Sequence, residues 1–123
     1  FSVDIPDVVI SPLGTTSVAP EPVIPVTYAL HQNFPNPFNP GTTIGFELPV
    51  ASSVQLTVYN LLGQEVATLV QAVLPAGRVD IVWNGRDSSG NPLASGVYLY
   101  MMTARSTTGG QEFTQVRKML LLK

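Results

Sequence analysis

The sequence predicts an all-β fold, an antiparallel immunoglobulin-like β-sandwich of about seven strands with an extended Pro-rich N-terminal arm. Three observations predict it. From Thr42 onward apolar residues recur with a period of two, the spacing of a strand that buries one face. Clusters of Gly, Pro, Asn and Asp interrupt those runs at short intervals, as turns between antiparallel strands require. No stretch keeps a helical period for longer than a turn, so helix content should be near zero.

Residues 1–29 read as the arm. Pro6, Pro12, Pro20, Pro22 and Pro25 fix φ and cannot donate to a ladder, so this part should be extended and cannot be a central strand throughout. Within it Phe1, Val3 and Ile5 alternate with polar residues, and Val8, Val9 and Ile10 form a β-branched patch. These side chains suit two uses: a stiff linker, or a strand donated to the sheet of another subunit, where backbone hydrogen bonds supply affinity and alternate side chains supply register.

The sandwich then spans residues 30–123. Residues 43–48 form a strand stopped by Pro49, and Val54, Leu56 and Val58 mark the buried face of the next. A turn at residues 60–64 uses Gly63 for a positive φ and leads to a strand over residues 65–70. After a turn at residues 74–77, Val79, Ile81 and Trp83 give an apolar face opposite Asp80 and Val82. Residues 87–92 are a loop on turn chemistry. The long strand at residues 96–105 carries Val97, Leu99 and Met101 on one face and Tyr98, Tyr100 and Met102 on the other, which marks it as central. A turn at residues 107–110 returns the chain into a final strand over residues 112–122. Trp83, Val97 and Leu99 are assigned to the core, with the indole N–H expected to find a backbone carbonyl.

Hydrophobic residues make up 45% of the chain and charged residues 11%, against about 25% charged in ordinary soluble domains, so the surface is short of charge and a partner is expected. Residues 1–77 hold Asp4, Asp7, Glu21, Glu47 and Glu65 with no Lys or Arg, whereas Arg78, Arg86, Arg105, Arg117, Lys118 and Lys123 all follow. An acidic front and a basic rear favour head-to-tail contact between copies, and accidental scatter in a charge-poor chain produces the same pattern. The absence of a Lys/Arg cluster with interleaved aromatics argues against nucleic acid. No apolar run approaches the ~20 residues of a membrane-spanning helix. There is no cysteine, hence neither a disulfide framework nor a thiolate metal site. The opening residues lack an initiator Met and a signal-peptide pattern, so the chain reads as a processed or excised product.

Nothing in the sequence supplies a catalytic constellation, and the chain is read as a non-enzyme without cofactor or metal. His31, the only histidine, stands in Pro-rich turn sequence with no nucleophile elbow elsewhere. Asp87, Ser89 and Asn91 loosely follow a calcium loop, but a plain Asp/Ser/Gly/Asn turn explains them equally. Trp83, Tyr98 and Tyr100 could bind carbohydrate only if they were exposed on a flat face, whereas the strand pattern buries them.

The most informative residues are short blocks in a fixed order. Asn33, Pro35, Asn36, Pro37, Phe38, Asn39 and Pro40 alternate amide and ring, so prolines preset the backbone while Asn side chains bond neighbouring backbone groups; Phe34 and Phe38 are expected to plug the end of the sandwich. Residues 58–66, 83–87 and 94–100 follow, and Arg117, Lys118 and Lys123 frame the final strand. In this order the blocks resemble the C-terminal sorting domain of type IX secretion substrates over roughly residues 30–123. The immunoglobulin-like module of the flagellar hook-cap protein is similar and, by these motifs, more distant. The sorting-domain resemblance, in which Gln32 to Pro40 match the opening block, implies an immunoglobulin-like module that outer-membrane secretion machinery reads at Asn33, Pro35, Asn36, Pro37, Phe38, Asn39 and Pro40 and at Arg117, Lys118 and Lys123, for delivery to the cell surface or the medium. Two departures stand out: Met101 and Met102 replace a basic residue common in that family, and only the arm precedes residue 30. The alternative is a homopolymeric extracellular filament in which the arm enters a neighbouring subunit; a carbohydrate-binding module is the third reading.

Overall fold

The structure, a computed structural model, describes residues 25–123. The candidate assembly residues Phe1, Val3, Ile5, Val8, Val9 and Ile10 lie outside the described residues. All regular elements are strands: β1 Ala29–Leu30, β2 Thr42–Leu48, β3 Ser52–Tyr59, β4 Glu65–Leu74, β5 Gly77–Trp83, β6 Gly96–Ser106 and β7 Glu112–Leu121. A three-stranded sheet in the order β1-β2-β5 faces a four-stranded sheet in the order β4-β3-β6-β7, and every strand pair is antiparallel. This is the immunoglobulin-like β-sandwich expected. β4 runs on to Leu74, four residues beyond the expected Val70, because Val70 to Leu74 keep pairing with β3 past a register shift. β1 begins inside the segment assigned to the arm, and Tyr28 already packs on the core.

Between the sheets Ile44, Phe46 and Leu48 of β2 meet Val54, Leu56 and Val58 of β3 and Tyr98, Tyr100 and Met102 of β6. Fully burying an aliphatic or aromatic side chain contributes about 1.5–3 kcal/mol, so this layer is the main source of stability. Trp83 is in it, with 3% of its surface exposed. Val97 and Leu99 are not. They stand half-buried on the outer face of β6, and the core positions are their neighbours Tyr98 and Tyr100. β6 is indeed an interior strand of its sheet, with β3 on one side and β7 on the other, but hydropathy alone could not choose between two apolar faces. The tyrosine hydroxyls break the tie. Facing inward, Tyr98 Oη donates to the Ala94 carbonyl at 2.6 Å and Tyr100 Oη to that of His31 at 2.7 Å, so both polar tips are satisfied where the rings are buried.

Strand direction divides the sandwich into two poles. At the entry pole lie Pro25 to Tyr28 and the turns that join β2 to β3, β4 to β5 and β6 to β7. At the exit pole lie residues 33–41, the turn between β3 and β4, the β5–β6 connection and Lys123.

Candidate functional site

The exit pole gathers every one of the sequence blocks. The segment that opens them joins the two sheets. On the three-stranded side His31 donates its N–H to Gly45 O at 2.9 Å, and Phe34 exchanges backbone bonds with Thr43, each of 2.9 Å. Four residues later the chain has crossed to the other sheet: Phe38 donates to Leu120 O at 3.0 Å, Leu122 donates to Phe38 O at 2.9 Å, and Phe38 and Leu121 form a parallel bridge. The Phe34–Pro35, Asn36–Pro37 and Asn39–Pro40 peptide bonds in this crossing are cis.

Side chains reinforce the crossing. Asn36 Oδ1 accepts from the Leu120 N–H at 3.0 Å, Gln32 Nε2 donates to Lys118 O at 2.6 Å and Arg117 Nε donates to Leu30 O at 2.5 Å. The edge of β7, which would otherwise offer unpaired backbone groups, is therefore covered over its last residues. Asn33 is buried and its side chain and N–H are all bonded: Nδ2 donates to Thr42 Oγ1 at 3.0 Å and Pro35 O at 3.2 Å, Oδ1 accepts from Gln32 Nε2 at 2.7 Å, and its N–H donates to Tyr100 Oη at 2.8 Å. Tyr100 in turn donates to His31 O, so one hydroxyl clamps two backbone groups of the segment. Burial pushes the Tyr100 phenol above its ordinary value of 10, an effect that the Asn33 N–H and the nearby Arg117 charge reduce.

Phe38 and Phe34, expected to act together, part company. Phe38 is 1% exposed and its ring lies 5.7 Å from that of Trp83, which meets Tyr98 edge-on at 6.5 Å. Phe34 is 80% exposed, because its ladder with Thr43 turns its ring to the outer face. Trp83 Nε1 donates to Arg86 O at 3.0 Å, the carbonyl partner expected for the indole. Gly85 makes the close approach possible: at φ +75°, a Cβ there would meet Pro40 O at 2.9 Å. Burial of Trp83, Tyr98 and Tyr100 removes the exposed aromatics on which the carbohydrate-binding reading depends.

The remaining blocks close the pole. Asn60 Oδ1 accepts from the N–H groups of Leu62 at 2.9 Å and Gln64 at 3.0 Å, fixing the turn that leads into β4. Asp87 Oδ1 accepts from Ser89 N–H at 3.0 Å and Asn91 N–H at 2.9 Å, the plain Asx turn that the loop residues suit. Ser95 Oγ accepts from the Lys123 N–H at 3.0 Å, so the block at residues 94–100 holds the chain's last residue. Among the described residues no three His, Asp or Glu side chains group as metal ligands, and no helix is long and apolar enough to cross a membrane.

Of the sorting-recognition candidates, Asn33, Phe38 and Arg117 hold the pole together, Asn36 does so from the surface, and Pro35, Pro37, Asn39, Pro40, Lys118 and Lys123 are exposed. Arg117 spends its guanidinium on the Leu30 carbonyl, so it straps one sheet to the other. Sequence reasoning missed Gln32, Thr42, Ser95 and Tyr100 as parts of the site. Gln32, Ser95 and Tyr100 carried a signal, since each lies in one of the blocks; Thr42 carried none.

A family model described as the FlgD Ig-like domain matches residues 34–109. Among solved structures, FlgD from P. aeruginosa is 30% identical with a TM-score of 0.52, covering 65% of this chain and 60% of that one. Dimeric latent PorU from Porphyromonas gingivalis superimposes with a TM-score of 0.63 at 19% identity over 88% of this chain, a likeness of fold. PorZ of the same organism, described as an essential bacterial surface component of the type-IX secretion system, reaches a TM-score of 0.43 at 21% identity over 78% of this chain, too low to carry an argument. The chain spans 10% of PorU and 11% of PorZ. No curated protein matches it. The family match thus falls on the module that the motifs rank as the more distant likeness, while the sorting-domain likeness rests on the motifs alone.

Proposed function

The chain belongs to the FlgD Ig-like domain family, and from that premise we propose that it is a non-catalytic secreted module of the type IX sorting kind, directing export and placement at the cell surface or outside the cell. One observation carries the reading: residues 33–40 and the terminal strand, the two ends of the sorting-like pattern, are hydrogen-bonded into a single surface at one pole. A receptor that engages this surface meets it already ordered and avoids the entropy cost of organising it. Its partner in this reading is the outer-membrane secretion machinery, and the exposed Lys118 and Lys123 are the charges that machinery would meet. Pro25, the first described residue, lies at the opposite pole, so the chain enters the sandwich at the end away from this surface.

Fusing the chain behind a periplasmic reporter in a type IX-competent host tests the reading. Reporter at the cell surface or in the medium is the expected result. Retention in the periplasm, with the fusion intact and folded, overturns it.

A further inference from the structure

The outer faces of the two sheets differ in chemistry. On the three-stranded sheet exposed Arg78 and Asp80 and half-buried Glu47 form a charge cluster beside an exposed Val82, with Arg78 at 3.8 Å from Glu47 and 3.3 Å from Asp80. On the four-stranded sheet the matching face is polar towards the entry pole, where Ser53, Gln55, Arg105 and Glu112 stand, and apolar on β6 and β7 towards the exit pole. Val97 pairs with Leu120, Leu99 sits between Tyr59 and Lys118, and Met101 sits beside Val116. Sandwich strands ordinarily alternate apolar inside with polar outside, because water covers the outer face. Here Val97, Leu99 and Leu120 are only half-buried and Val116 is 50% exposed, and among the described residues none of them packs against the core cluster. The same residues misled the sequence-based core assignment, since a strand apolar on both faces normally has something on each.

Where this face meets the crossing segment, Gln32, Asn36, Val97, Lys118 and Leu120 line a groove of about 360 Å³. The amides of its wall are committed, Gln32 to Lys118 O and Asn36 to Leu120 N–H. The Lys118 ammonium at the rim has no carboxylate partner among the described residues. We propose that this face and groove are a docking surface for an acidic, apolar segment of a partner protein, whose carboxylate meets Lys118 while its apolar side chains cover Val97, Leu99 and Leu120. A second copy packed face to face would bring Lys118 against its own counterpart, a like-charge contact that disfavours self-pairing. A lipid surface calls for a cluster of roughly four to eight cations, and this face has two, Lys118 and an Arg105 already paired with Glu112.

The inference deepens the sorting reading by naming the partner's chemistry, and it is tested in vitro, where export plays no part. The isotope-labelled 123-residue chain is titrated, with amide shifts followed by NMR, against short capped peptides that alternate valine with aspartate, asparagine or lysine. The aspartate peptide should shift Val97, Leu99, Lys118 and Leu120 and bind about fivefold more tightly than the asparagine peptide, the upper end of what one exposed ion pair contributes. Lys118→Glu, which should melt as the parent does, should reverse the order in favour of the lysine peptide. Equal affinity for the peptides, or shifts confined to the Glu47 and Arg78 face, would overturn the proposal. So would shifts at Val97 and Leu120 that grow with protein concentration alone, which assign the face to a second copy, or that only phosphatidylglycerol vesicles produce, which assign it to lipid.

Discussion

At the entry pole the chain reverses within a few residues, and its polar bonds are mostly short in sequence: Ser106 Oγ with Thr108 Oγ1 at 3.0 Å, and the ion pair of Arg105 with Glu112 across the hairpin. One backbone bond, Thr107 N–H to Ala51 O at 3.1 Å, ties two turns together. At the exit pole local turns such as those of Asn60 and Asp87 are joined by bonds between residues far apart, from Asn33 with Tyr100, 67 positions on, to Leu30 with Arg117, 87 positions on. The first pole is closed mainly by turn chemistry that any hairpin can supply, to which Tyr28 adds a bond to Ser52 Oγ at 2.8 Å and a stack on Phe113. The second exists only once both sheets have met, and every motif block lies there. Local bonds survive single substitutions because neighbouring backbone remains tethered; long-range bonds share partners and fail together.

Substitutions that pit one pole against the other sharpen this contrast. Phe38→Ala should have the largest effect, destabilising by about 3–5 kcal/mol, the cost of emptying a packed aromatic site; a denaturant midpoint close to the parent's would contradict its role as the plug. Gly85→Ala and Gly109→Ala share a positive φ, +75° and +84°, which costs a non-glycine residue roughly 1–2 kcal/mol. Only Gly85 adds a clash, with Pro40 O, whereas nothing stands within 4 Å of a Cβ at Gly109. Gly85→Ala should therefore be clearly the worse of the two by thermal melting, and equal losses would argue against the tight seam at the exit pole.

Tyr100→Phe should cost about 1–3 kcal/mol, because it leaves a buried N–H of Asn33 and a carbonyl of His31 unpaired. It should also alter the alkaline limb. A phenol whose value is raised by folding keeps its proton more firmly in the folded chain. Its contribution is thus intact below pH 10 and falls as pH rises through the folded value. Tyr100→Phe should lessen that fall, leaving the part due to Tyr98, whose phenol burial also raises. Smallest of all, Arg105→Ala at the entry pole breaks an exposed ion pair and should change stability by no more than about 1 kcal/mol.

The strands were legible because period two and turn residues are local signals. Val54, Leu56 and Val58 could be placed inside without knowing what they face, as could Trp83 with its need for a carbonyl. Val97 and Leu99 could not, since both parities of β6 are apolar and the choice was made by hydroxyl partners in distant segments, Ala94 O and His31 O. Phe34 and Phe38 look alike in the sequence. Only the crossing between sheets separates the ring that faces Trp83 from the ring that faces water. The blocks themselves were visible as words in order, but their meeting at one pole follows from strand directions that no single block encodes. Thr42 lay outside that legibility altogether, because a strand threonine becomes part of the site only through Asn33, and Gln32, though it opens the first block, shows its role only through Lys118 O.

Export of reporter fusions carrying charge reversals at the two poles tests the central claim most directly. One fusion carries Lys118→Glu with Lys123→Glu at the exit pole; the other carries Arg105→Glu at the entry pole. Each should stay folded, since among these only Arg105 has a carboxylate partner in the described residues and that pair is exposed. Retention of the first in the periplasm, with the second exported like the parent, is the predicted result. Export of both fusions, or retention of both, would contradict the assignment of the address to the exit pole.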